Sequence, residues 1–286
     1  MKAAKTVLLV LLVVSNGCAS GAGENARVAE RQPETHPRFV RVPNDGTPTR
    51  VDVGGYRLAV RCRGRGRPAV LLEAGYGLAS GHWRAAQAAI AKTNRVCAYD
   101  RSGVGRSDVR PPEPAERMPA RELHTLLATI RLPPPYVVAG HSLGGGLAVG
   151  YAAAYPRDVV GVVLVDSVDP RSFPDGAVAE GRSRLDLSGI ADAVAAADSL
   201  RDLPIVVLER GRGSDPGWKR MQADLARLSA NTLHAVAPRS GHHIQASEPE
   251  LVAAAVRAAA RAGMHRAPLP PCREALAPWG GDCGGQ

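Results

Sequence analysis

An α/β fold, with a mostly parallel central sheet flanked by helices, is the architecture this chain predicts, and three observations carry the prediction. Short runs rich in Val, Ile and Leu alternate with Ala- and Leu-rich stretches long enough for helices. One such run passes directly through Gly140-His141-Ser142-Leu143-Gly144 into a helical stretch. A single long connection, about 167–203, separates two strands and carries a helical piece near 189–200. Connections of that length inside a domain usually carry structure of their own, and this one reads as a small cap insertion.

Along the chain the strands are expected at 56–62, 69–73, 95–99, 136–140, 159–166, 204–209 and 232–237. The helices fall between and after them, at 82–92, 119–130, 143–155, 217–228 and 249–261. These elements make one domain over 51–263. Before it, residues 21–50 are polar and broken by Pro and Gly, as in a flexible linker. After it, residues 264–286 form a Pro/Gly-rich tail that holds Cys272 and Cys283.

The hydrophobic fraction of 45% supplies a sizeable core. The net charge of +9 invites a nucleic-acid reading, but aromatics are only 4% and the basic residues are scattered rather than gathered on one segment. A solvated basic surface explains the charge, and no nucleic-acid partner is expected. At the N-terminus, Lys2 and Lys5 precede an apolar run from Val7 to Val14. That run is shorter than the roughly 20 residues a bilayer requires. The order of charge, apolar run and small residues reads as a signal peptide over 1–20, and so as an exported protein. Two kinds of processing fit. Cys18 follows Gly17 as a lipid-modified cysteine would, tethering the protein to the cell envelope. Alternatively, Cys18-Ala19-Ser20 supplies the small-x-small pattern of ordinary cleavage, which releases a soluble protein.

Chemistry concentrates at Gly140–Gly144. A serine between a strand and a helix, with glycine two residues to either side, fits a sharp turn that exposes the hydroxyl. The helix that begins at Leu143 presents unpaired N–H groups and the positive end of its dipole to a developing oxyanion. Ser142 is therefore the candidate nucleophile and the Leu143 N–H a candidate oxyanion donor. His141 reads as a packed residue of the turn rather than a base.

With these residues the chain resembles the α/β-hydrolase-fold enzymes of the capped, esterase- and lipase-like group, over about 51–261. Leu71-Leu72-Glu73-Ala74-Gly75-Tyr76-Gly77, followed by Trp83, is similar to the family's strand and oxyanion loop. Where the family usually has His-Gly, this chain has Ala74-Gly75. The resemblance implies the backbone N–H of Tyr76 as the other oxyanion donor. Tyr99-Asp100-Arg101-Ser102-Gly103-Val104-Gly105-Arg106-Ser107 matches a family loop in which Asp100 and Ser107 hold geometry. Ser240-Gly241-His242, placed after strand 232–237 and before Pro249, makes His242 the implied base, in the family order of serine, acid, histidine. His243 is expected at the pocket edge. No metal is expected, since no ligand spacing for one occurs, and no cofactor is implied.

Three carboxylates compete for the role of acid. Asp215 lies in the family's commoner position, but in a loose Arg/Gly-rich stretch. Glu209 ends its own strand. Asp166 ends strand 159–166 beside the nucleophile strand and is preferred, because a strand-end carboxylate is better preorganised. The implied function is hydrolysis of an ester-like acyl bond of a small molecule through an acyl-enzyme. Acyl transfer, peptide hydrolysis and cofactor-free perhydrolysis use the same triad, and a non-catalytic binding protein can share the fold. The family's sheet places the second and fourth strands side by side, which implies a Cys62–Cys97 disulfide, and Cys272 and Cys283 are expected to pair across the tail.

Overall fold

Strands Ala69–Glu73 and Tyr136–His141 are buried along their whole length, as parallel strands covered on both faces must be. The computed structural model describes residues 39–111 and 119–284, and these lie within one compact unit, Thr35–Gln286. In chain order its first elements are β1 (Thr49–Asp52), β2 (Arg57–Arg63), β3 (Ala69–Glu73), α1 (Arg84–Ile90), β4 (Val96–Tyr99) and α2 (Pro119–Thr129). The segment around Ser142 follows as β5 (Tyr136–His141), α3 (Leu143–Ala154) and β6 (Val159–Val165). The insertion carries β7 (Ala177–Glu180), β8 (Ser183–Asp186) and α4 (Ile190–Ala195). The chain then returns through β9 (Ile205–Arg210), α5 (Pro216–Ala226), β10 (Thr232–Ala237), α6 (Ile244–Ser247), α7 (Pro249–His265) and α8 (Cys272–Ala275).

Eight strands form the main sheet in the order β1-β2-β4-β3-β5-β6-β9-β10. The β1–β2 and β2–β4 pairs are antiparallel and all other neighbours are parallel. Alternating side chains divide the core in two. Leu71, Val138 and Leu164 face the cluster that holds α2 and α3, whereas Val70, Leu72 and Val163 face the one that holds α1 and α7.

The expected strands and helices are present with ends shifted by a few residues. The expected helix over 82–92 divides into a 3-10 turn, Ser80–Trp83, and then α1. The linker expected over 21–50 is part of the fold from residue 39. The Val40 N–H donates to Thr129 O, Val42 is buried, and β1 begins at Thr49. β1 buries only Val51 and Val53 follows it, too little apolar pattern to read as a strand. The insertion at 167–203 adds a second, two-stranded sheet of β7 and β8, which the sequence did not predict. Its strands are Ala-Val-Ala-Glu and Ser-Arg-Leu-Asp, poor in β-branched residues. The tail expected over 264–286 is packed as far as it is described. α7 runs on to His265, Leu276 is fully buried, and Asp282 bridges Val236 on the edge strand β10. Both expected disulfides are formed, Cys62–Cys97 and Cys272–Cys283. Cys62 and Cys97 are directly opposed partners in the β2–β4 ladder, with Cα atoms 4.1 Å apart. The expected signal segment and Cys18 lie outside the described residues.

Candidate active site

Ser142 joins β5 to α3 at φ 53° and ψ −125°, a backbone conformation that residues with a Cβ rarely adopt. Its own backbone is held from two sides. The Ser142 N–H donates to Val165 O, and Ser142 O accepts from Gly145 and Val168. The turn closes because its neighbours are glycines. A Cβ on Gly140 would lie 2.2 Å from Gly144 O, and one on Gly144 would lie 2.4 Å from Glu73 O and Ala74 O. Gly144 thus lets the start of α3 press against the β3 carbonyl ends, next to the loop that carries Tyr76. Leu143 is the first residue of α3, where N–H groups have no partner within the helix.

His242 sits in the loop between β10 and α6. Ser240 Oγ anchors that loop by donating to the buried Glu248 carboxylate. The His242 Nδ1–H donates to Asp166 Oδ2 at 2.5 Å, which leaves Nε2 with its lone pair. Asp166, with no exposed surface, directly follows β6 and has a positive φ of 47°. Its other oxygen accepts from the Trp218 indole at 2.7 Å and from the Arg210 backbone N–H at 3.1 Å. The Arg210 guanidinium lies 3.3 Å from Oδ2 and stacks over the Trp218 ring. Trp218 in turn meets the His242 ring edge-on. A buried carboxylate needs such a set of donors.

The two rival carboxylates have other partners. Asp215 is the N-cap of α5 and accepts from the Trp218 N–H, which holds its carboxyl below the usual range. Glu209 accepts from Ser214 Oγ and lies 3.2 Å from His234 Nε2. His141 is buried, and its Nε2–H donates to the His242 carbonyl at 2.8 Å. Burial, with His242 beside it, pushes the His141 imidazole down to about 3, so it is neutral at ordinary pH. His243 is exposed beside His82, at the rim, and burial together with the neighbouring His242 and His82 holds it below its ordinary value. Asp100 accepts from the Ser80 and Arg106 N–H groups, and Ser107 Oγ bonds Asp100 O and the Ala59 N–H; both shape their loop.

Residues that the sequence reading passed over complete the surroundings. Trp218 and Arg210 hold Asp166, and a buried cluster of Glu73, Tyr99, Arg101 and Glu180 lies under the Tyr76 loop. One signal was available. Asp215-Pro216 is an N-cap followed by proline at the first helical position, which marks Asp215 as a capping residue.

A serine on a strained strand-to-helix turn, near a histidine–carboxylate pair at the carboxyl ends of a parallel sheet, is the layout of an enzyme site in an α/β protein. The chain has the fold of the α/β hydrolases. A family model described as the alpha/beta hydrolase fold matches residues 68–205. The Bacillus subtilis protein YqjL, itself uncharacterized, is 26% identical over 205 residues, 65% of this chain and 81% of that protein. A Cronobacter sakazakii protein named for carbamate hydrolysis, RutD, is 35% identical over 133 residues. That match covers 46% of this chain and 49% of RutD, so the chain spans about half of that relative. Among solved structures, Est1E of Butyrivibrio proteoclasticus with ferulic acid bound superposes with a TM-score of 0.55 at 15% identity, covering 76% of this chain and 99% of Est1E. A haloalkane dehalogenase variant of Bradyrhizobium elkanii gives 0.58 at 17% identity, covering 77% and 99%.

Proposed function

We propose that the protein is a serine hydrolase that cleaves an ester-like acyl bond, with Ser142 as nucleophile, His242 as general base and Asp166 as the acid. The 2.5 Å hydrogen bond from His242 Nδ1 to the fully buried Asp166 is the observation that carries this reading. It fixes the tautomer in which Nε2 can accept the serine proton. Ser142 Oγ attacks the substrate carbonyl as His242 takes its proton, and the Tyr76 and Leu143 N–H groups receive the oxyanion. The leaving group departs with the proton from His242. Water, activated by the same imidazole, then releases the acid and restores the serine.

Carbamates are the second substrate class, favoured by the names of the RutD relatives. Acyl transfer, peptide hydrolysis and perhydrolysis would use the same groups. Two disulfides fit an oxidising compartment, in keeping with an exported protein that is released or tethered through Cys18. Among the described residues no helix is long and apolar enough to cross a membrane.

The test is a panel of chromogenic esters of graded acyl length, with a carbamate included, run on the wild type and on Ser142→Ala. The wild type should turn over at least one ester, and Ser142→Ala should lose activity by about 10³-fold or more while remaining folded. Activity of Ser142→Ala within tenfold of wild type would falsify the assignment.

A further inference from the structure

The proposed chemistry makes no use of the charge cluster beneath loop 74–77. Arg101 is 3% exposed there, and all of its donor nitrogens are engaged. Nε and Nη2 bind the two oxygens of Glu180, and Nη1 binds Glu73 Oε2 and Ala74 O. Nη2 also donates to Gly75 O at 2.8 Å. Glu73 accepts from Tyr99 Oη, and burial pushes its carboxyl up. For Arg101, burial opposes the charge, but Glu180 and then Glu73 outweigh it and shift the guanidinium upward.

The Gly75–Tyr76 peptide links this cluster to the site. It is not among the cis bonds of the chain, so its C=O and N–H point in opposite directions from one rigid plane. Arg101 holds the oxygen, joined by the Leu78 N–H at 3.1 Å, and so sets the direction of the Tyr76 N–H on the far side. A guanidinium on the carbonyl also polarises the peptide and strengthens its N–H as a donor. Arg101 is oriented in turn by Glu180, the last residue of β7 in the cap. Glu180 Oε1 also accepts from the Gly77 N–H at 3.0 Å, and Tyr76 Oη donates to Ala179 O at 2.5 Å. The hairpin is seated on the other side as well, through the Arg182 N–H to Gly103 O and Arg182 Nη2 to Ser107 O. It therefore forms a fixed strut.

We infer that Glu180, a residue of the cap, is a positioning residue for the oxyanion donor Tyr76 N–H and acts through Arg101. The inference rests on the serine-hydrolase reading above. Because it acts on a donor whose bond is strongest in the transition state, its loss falls on kcat rather than on KM.

Glu180→Gln keeps the size of the side chain and removes the charge that orients Arg101. If that variant does not fold, Arg101→Lys serves in its place. It retains the buried positive charge, but a single ammonium cannot span two carboxylates and two carbonyls. With p-nitrophenyl acetate, kcat is expected to fall about 30-fold or more, toward the roughly 10²–10³-fold cost of a lost oxyanion donor. KM should stay within about threefold, and affinity for a trifluoromethyl ketone, whose adduct on serine carries the oxyanion, should fall with kcat. A folded variant that keeps kcat within threefold, or that loses activity through KM alone, overturns the inference and leaves the nucleophile assignment standing. If the wild-type serine reacts with neither the ester nor the ketone, the underlying reading fails and takes this inference with it.

Discussion

Asp166 and Asp215 carry the same functional group in opposite surroundings. The Asp166 carboxylate is fully buried and receives His242, the Trp218 indole, and both the backbone and side chain of Arg210. Asp215 is exposed and caps a helix. Asp166→Asn is expected to lower kcat by about 10³–10⁴-fold, because the amide no longer favours the Nδ1–H tautomer of His242. Asp215→Ala should leave kcat within a few-fold and lower Tm slightly. The reverse ranking in steady-state kinetics would move the acid to Asp215. His141 supplies a pH signature. Its folded-state value of about 3 lies below the ordinary value of 6.5, so between those limits the unfolded chain binds a proton that the folded chain does not. Stability associated with this residue is therefore full above about pH 6.5 and declines as pH falls toward 3. His141→Gln should flatten that decline in urea midpoints measured between pH 7 and 4. An unchanged slope would mean that other groups set the acid sensitivity.

Legibility at the scale of elements followed burial. β3, β5, β6 and β9 are apolar runs with a single interpretation, and their places were readable within a residue or two. β1, β7 and β8 were not, because each is four residues long and buries a single side chain. The turn at Ser142 was legible because its glycines are required by backbone approach. Trp218 and Glu180 were hidden because their roles arise only when α5 and the cap hairpin fold back over the strand ends. Glu73 did leave a trace: a carboxylate ending a buried strand demands a cation, and that cation is Arg101. The Cys62–Cys97 pair joins neighbouring strands across a sequence separation of 35 residues. Replacing both by Ala should cost about 2–4 kcal/mol in urea unfolding and leave activity in native buffer. Free thiols at both positions in the oxidised protein would contradict the pairing.

For the domain as a whole, the parallel sheet is what assembles the site. Ser142, Asp166 and His242 follow β5, β6 and β10 in turn, so three segments distant in sequence meet at one end of the sheet. The C-terminal residues complete the fold at the far edge. The Asp282 bridge to β10 and the Cys272–Cys283 disulfide cover an edge strand that would otherwise present unpaired backbone groups. The central claim is that this arrangement makes Ser142 a nucleophile, and peptide mapping of a fluorophosphonate adduct tests it most directly. The account predicts one adduct per chain, located on Ser142, and formed much more slowly in His242→Ala at neutral pH. An adduct on another serine, or no adduct on the folded wild-type protein, would contradict it.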